Sequence, residues 1–161
     1  MKSTILDKTK LVNSVFSKVY KKYDLMNDIM SFGVHRIWKE KFINWMNPNP
    51  NSRLIDVASG TGDIAKLFSK RNNDISEITC IEPNSKMFEE GKKNLKQLTN
   101  INWVQAQAEK LPVKDNTYDY YSISYGIRNV TDINKALKEA YRVLKPGGRF
   151  MCLEFSKINN E

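Results

Sequence analysis

The chain has 161 residues, 40% hydrophobic and 27% charged, enough for one domain around one core and too short for two ordinary domains. Seven Gly and five Pro exclude low complexity, no apolar run approaches the ~18–20 residues of a membrane span, and Cys80 and Cys152 inside apolar runs with a single histidine, His35, exclude a disulfide scaffold and a Cys/His metal site. The net charge is +8, with nine Lys/Arg against four Asp/Glu in residues 1–50; this excess suits an anionic surface, or simply reflects a Lys-rich chain with 20 Lys to 6 Arg.

Met1 to Asp7 has no apolar leader and no small-residue cleavage site, and no Arg precedes Arg36. The simplest address is a bacterial cytoplasm, with a processed organellar protein as the alternative. Residues 7–23 read as a helix with Leu11, Val12, Val15, Phe16, Val19, Tyr20 and Tyr23 on one face. A second helix is predicted from His35 to Met46, with Trp38, Phe42 and Trp45 as core candidates. The turn cluster Asn47-Pro-Asn-Pro-Asn51 divides a basic helical segment, 1–50, from a domain over 51–161.

Strands and helices then alternate. The spacing predicts a strand over Arg53–Ala58, a helix over Asp63–Lys70, a strand over Ile78–Ile81 and a helix over Ser85–Gln97. It predicts strands over Ile101–Gln105 and Tyr118–Tyr125, then a helix capped by Asp132 and running to Leu144. Pro146-Gly147-Gly148 is read as its stop, with a fifth strand over Arg149–Phe155. This order predicts an α/β fold: a doubly wound, mostly parallel, Rossmann-like sheet with helices on both faces.

Such sheets bind ligands outside the carboxyl ends of their strands, where the strand order reverses. After the first strand comes Asp56-Val-Ala-Ser-Gly60-Thr61-Gly62-Asp63, whose glycines permit a tight turn and close approach of a ligand to the backbone. Glu82 ends the second strand, twenty residues past Gly62, and suits the two hydroxyls of a ribose. Two ligands fit this pair. Gly60-x-Gly62-x-x-Ala65 satisfies the loose dinucleotide pattern. S-adenosylmethionine, with a cationic sulfonium and amino group and no phosphate, better suits a loop framed by Asp56 and Asp63. Gln107 and Ala108 after the third strand fit beside an adenine, and Ser124 ends the fourth strand near the same pocket.

Two segments carry a family resemblance. One runs from Tyr23-Asp24-Leu-Met26-Asn27 through His35 to Trp38, the other from Arg142 through Pro146-Gly-Gly148 to Glu154-Phe-Ser156; Gly126-Ile-Arg128-Asn129-Val-Thr131 lies between them. The chain resembles the class I S-adenosylmethionine-dependent methyltransferases, and more narrowly the ubiquinone/menaquinone biosynthesis C-methyltransferase (UbiE) family. The resemblance covers almost the whole chain. It implies cofactor contacts at Thr61, Glu82, Gln107, Ala108 and Ser124, beside Asp56, Gly60 and Gly62 of the loop. Ser59 stands where the family usually has Gly, Glu82 where Asp is usual, and Gln107 where Asn or Asp is usual. The family's chains continue past this point, so the resemblance also implies a fragment, cut after the fifth strand.

The implied reaction is methylation of a ring carbon of a polyprenylated benzoquinol or of demethylmenaquinol. Such a carbon is a poor nucleophile until a neighbouring hydroxyl loses its proton, so a base or a positive group must stand near the sulfonium. Arg128 is the first candidate for that charge, Asn129 for orienting a hydroxyl, and His35 and Tyr23 are candidates on the front segment, acting as a lid. The resemblance implies a quinol partner, contact with a membrane surface, and a homo-oligomer or quinone-biosynthesis complex at the inner face of a bacterial membrane or the matrix side of the mitochondrial inner membrane. Nucleic acid is not an expected partner: after the fourth strand the chain reads Ser-Tyr-Gly-Ile-Arg-Asn, and both cysteines lie in strands. The alternatives are another small-molecule or nucleic-acid methyltransferase, an NAD-dependent oxidoreductase and a non-catalytic module.

Overall fold

The computed structural model describes residues 34–73 and 76–155. The helix expected over 7–23, with Tyr23, lies outside the described residues. Five strands, β1 (Arg53–Val57), β2 (Glu77–Ile81), β3 (Ile101–Val104), β4 (Tyr118–Ser124) and β5 (Leu144–Leu153), form one sheet in the order β3-β2-β1-β4-β5. Every pairing is parallel. The helices are α1 (Val34–Met46), α2 (Asp63–Arg71), α3 (Ser85–Asn94) and α4 (Ile133–Val143), with a 3-10 turn over Ile127–Asn129. The doubly wound α/β fold expected from the sequence is present. The strand order reverses at β1, whose neighbours β2 and β4 leave on opposite sides.

Strand alternation sorts the side chains into two layers. Leu54, Ile78, Cys80 and Tyr120 pack with Phe42, Ile43 and Met46 of α1 and Ile64, Ala65 and Phe68 of α2. Ile55, Val57, Ile81, Tyr121 and Ile123 pack with Ala136, Ala140 and Val143 of α4. β1 is buried along nearly its whole length because both faces are covered. By the same alternation Asp56 and Ser122, polar residues, point toward the α1–α2 side at the carboxyl end of the sheet.

Three sequence readings need correction. Trp38 and Trp45 are not core: α1 buries His35, Lys39, Phe42, Ile43 and Met46 on one stripe, and both Trp lie on its flank, Trp45 at 84% exposure. The helix from Ser85 ends at Asn94 rather than Gln97, because Leu95 turns away as its C-cap. Pro146-Gly147-Gly148 is not a gap between elements but lies within β5, which starts at Leu144. The register jumps there from Tyr118↔Leu144 to Tyr120↔Arg149, so the Pro-Gly-Gly bulges out while pairing resumes.

Gly91 on α3 shows how tightly the β3 side is packed. A Cβ there would overlap the Trp103 ring, itself edge-on to Phe88 with centroids 5.9 Å apart. Gly91→Ala gains helix propensity of about 1 kcal/mol, yet it must push Trp103 out of place. It is expected to destabilise the fold by about 1–3 kcal/mol net, read as a lower urea midpoint; an unchanged or higher midpoint would show that Trp103 swings freely.

Candidate functional site

A cleft opens at the carboxyl ends of β1, β2 and β4 and beside the segment after β3. Of the twelve positions that the sequence reading put at the site, Asp56, Gly60, Thr61, Glu82, Gln107, Ala108, Ser124 and Asn129 line it. Gly62 does not line it. It is the N-cap of α2 at φ +90°, and its face is closed by Leu95 and Trp103, so its glycine serves helix–sheet packing. His35 is buried in α1 and does not line the cleft either. Arg128 stands at the rim, ion-paired with Glu154 and over the Phe155 ring, which stacks on the cleft residue Tyr125.

The glycine loop owes its shape to backbone conformation and to one carboxylate. Gly60 has φ +58° and Gly62 φ +90°, a region open to glycine without cost. The Gly62 amide donates to the Ser59 carbonyl at 2.9 Å, closing the turn. Glu82 then ties the loop to β2. The Gly60 amide donates to Oε2 and the Asn84 amide to Oε1, each at 2.8 Å. Both oxygens keep lone pairs for further donors such as ribose hydroxyls. Burial raises the Glu82 pKa, and the Asn84 and Gly60 amides pull it back down.

Asp56 is the second buried acid, 1% exposed. Ser122 Oγ donates to its Oδ1 at 2.6 Å, while Oδ2 has no hydrogen-bond partner. A buried carboxylate oxygen without a donor is costly, and it lies in the wall of a cleft. Burial raises Asp56 from 3.8 to about 7, opposed by the Ser122 hydrogen bond and the Lys39 charge. Ser124 Oγ, also in the cleft wall, likewise has no partner.

These features fit S-adenosylmethionine. Asp56 Oδ2 offers an acceptor to a cation, Glu82 offers acceptors to a diol, and Ala108 is a small residue beside the space for a ring. The glycine at 60 leaves the loop open: a Cβ there would come within 3.2 Å of Met87 Cε. A pyrophosphate would instead have to sit among Asp56, Asp63, Glu82 and Glu109, all of which line the cleft.

Several cleft residues carried no sequence signal as site residues. Asn84 caps α3, its side chain accepting from the Lys86 and Met87 amides. Glu109 fastens the segment after β3 to that after β4 by accepting from the Thr131 and Asp132 amides at 2.7 and 3.1 Å. Lys39 reaches in from α1, 24 positions before its partner Asp63, whose Oδ2 it meets at 2.6 Å. The helical stripe shared with Phe42 and Ile43 could have marked Lys39 as an inward-facing charge.

Residues 3–161 match the model of the ubiE/COQ5 methyltransferase family. The ubiquinone/menaquinone biosynthesis C-methyltransferase UbiE of Rickettsia bellii is 55% identical over 158 residues, 94% of this chain and 63% of the relative. The mitochondrial 2-methoxy-6-polyprenyl-1,4-benzoquinol methylase of Dictyostelium discoideum is 46% identical over 96% of this chain and 59% of the relative. The chain therefore spans about six-tenths of the length of these relatives. Among solved structures, a SAM-dependent methyltransferase of Thermotoga maritima superposes with a TM-score of 0.68 at 26% identity, over 86% of this chain and 59% of that one.

The folded state binds a proton on Asp56 more tightly than the unfolded chain does. Stability is therefore expected to fall as pH rises from about 4 to about 7, and Glu82 acts in the same direction. Asp56→Asn keeps an acceptor for Ser122 and removes Asp56's share of that slope. The variant should match the wild type near pH 4 and exceed it at pH 8 by up to a few kcal/mol in urea denaturation. Equal slopes in the two proteins would show that Asp56 does not titrate there.

Proposed function

The chain belongs to the ubiE/COQ5 methyltransferase family, and from that premise we propose that it binds S-adenosylmethionine and methylates a ring carbon of a polyprenylated quinol. The observation that carries the cofactor half is the buried Asp56 carboxylate with an unpartnered oxygen in a cleft also lined by Glu82. That electrostatic wall favours a cation and disfavours the pyrophosphate of a dinucleotide. The substrate half rests on the quinone-biosynthesis methyltransferases that the chain is similar to.

When bound, S-adenosylmethionine supplies a methyl group on an electrophilic sulfonium. Glu82 holds the ribose hydroxyls, and because its own oxygens are fixed by Gly60 and Asn84 it does so without reorganising. Gln107 and Ala108 flank the adenine. Asp56 receives the amino group, and Ser124 offers a hydroxyl in the same wall. The ring carbon becomes nucleophilic when a neighbouring hydroxyl gives up its proton to solvent water, and the ring regains its aromaticity when the methylated carbon loses its own proton to water. Arg128 at the rim stabilises the phenolate so formed, and Asn129, inside the cleft, orients the hydroxyl. Tyr125 and Phe155, stacked with centroids 4.9 Å apart, offer an aromatic wall beside Arg128 for the quinol ring. A substrate with an isoprenoid tail is met at a membrane surface, and that is where this reading puts the reaction. No helix among the described residues is long and apolar enough to cross a membrane.

Calorimetric titration with S-adenosylhomocysteine, with NAD as control, tests the cofactor assignment on protein shown folded by circular dichroism. S-adenosylhomocysteine alone should bind, and Glu82→Gln should weaken it at least about tenfold. Folded protein that takes NAD and refuses S-adenosylhomocysteine would sink the reading. For the transfer step, Arg128→Ala should slow methylation of a short-tailed quinol by about 10²-fold while leaving S-adenosylhomocysteine affinity unchanged; an unaltered rate would remove Arg128 from the mechanism.

A further inference from the structure

The methionine end of the cofactor is a zwitterion, an ammonium and a carboxylate on one carbon. The cleft is well supplied for the first and poorly for the second. Asp56, Asp63, Glu82 and Glu109 all line it, so an entering carboxylate meets four acids. A carboxylate desolvated among them needs a cation within contact distance. Among the described residues lining the cleft, Lys39 is the one Lys or Arg.

Lys39 is also placed for that task. It belongs to the buried stripe of α1, its side chain is 10% exposed, and its ammonium stands 2.6 Å from Asp63 Oδ2 at the first residue of α2. Its charge is felt at Asp56, the acid with the unpartnered oxygen. An ammonium has three N–H donors, so a bond to Asp63 leaves capacity for a second anion. Asp63 is 40% exposed and can turn to water while Lys39 remains buried.

We propose that Lys39 receives the α-carboxylate of the cofactor's methionine moiety, with Asp56 receiving the α-ammonium beside it. The proposal rests on the S-adenosylmethionine reading above. It makes α1, from the basic front segment, part of the cofactor site rather than only a cover. It also assigns the Lys39–Asp63 pair a second role, holding the ammonium in position before the ligand arrives.

Three ligands separate this role from a structural one. S-adenosylhomocysteine has both charged groups, decarboxylated S-adenosylmethionine keeps the ammonium but not the carboxylate, and 5′-methylthioadenosine has neither. Lys39→Met should weaken S-adenosylhomocysteine about 10–100-fold and leave 5′-methylthioadenosine within about twofold. It should also leave decarboxylated S-adenosylmethionine within about twofold, and Lys39→Arg should restore most of the lost affinity. An unchanged S-adenosylhomocysteine affinity would overturn the proposal. So would parallel losses for all three ligands, which would mark Lys39 as a brace between α1 and α2. A folded wild type that binds none of them would overturn the S-adenosylmethionine reading itself, a different outcome from either.

Discussion

The cleft depends on the carboxylate of Glu82. Its two oxygens take the Gly60 and Asn84 amides, each at 2.8 Å, and so join the glycine loop after β1 to the start of α3 after β2. Without that tie the loop would be held by the Ser59–Gly62 turn and its contacts to β2 alone. With it, the amide-rich edge of the loop and the acceptor capacity of a buried carboxylate face one space. A neutral glutamine could keep one of the two bonds as acceptor but not both through carboxylate oxygens. Glu82 thus spans the two segments with one side chain.

A second constraint is electrostatic. Asp56 and Ser122 are neighbours across the β1–β4 pairing, and alternation sends both toward the α1–α2 layer at the carboxyl end of the sheet. Burial there raises the Asp56 pKa to about 7, so near neutral pH the site is poised between a neutral acid and a carboxylate. A cation arriving at Oδ2 favours the charged form and is favoured by it in return. The Lys39–Asp63 pair lies next to this group and completes an alternation of charge: acid, ammonium, acid. Such an arrangement suits a ligand carrying both signs and rejects one carrying only negative charge.

The rim is built differently. Tyr125, Phe155 and Trp38 form a chain of ring contacts, with Phe155 5.8 Å from Trp38 edge-on and Arg128 5.7 Å above its face. Arg128 is thus held by an ion pair on one side and a ring on the other rather than projecting free. A guanidinium fixed in this way costs less to orient at the moment of reaction than a flexible one. The cleft wall is thus built of buried acids, and the rim of aromatic rings and an ion-paired guanidinium.

The sequence by itself determined the sheet. Alternating apolar runs and amphipathic stretches, bounded by Gly, Pro and Asx residues, specify parallel strands with crossover helices, because those patterns can bury their apolar faces in few other ways. It also determined which strand ends matter, so Asp56, Gly60, Thr61, Glu82, Gln107, Ala108 and Ser124 were legible as one site from their positions alone. What only the tertiary structure decided is long-range and directional. Gly62 faces Leu95 and Trp103 rather than the ligand space, a fact of packing between segments far apart in sequence. Trp38 and Trp45 fall beside the buried stripe of α1, because the rotation of a helix about its axis is set by what it packs against. Lys39 reaches Asp63 across 24 positions, and no local pattern encodes that meeting. The Pro-Gly-Gly of β5 reads as a stop, yet the neighbouring strand β4 recovers its pairing beyond the bulge, since hydrogen bonds to a partner outweigh a local break.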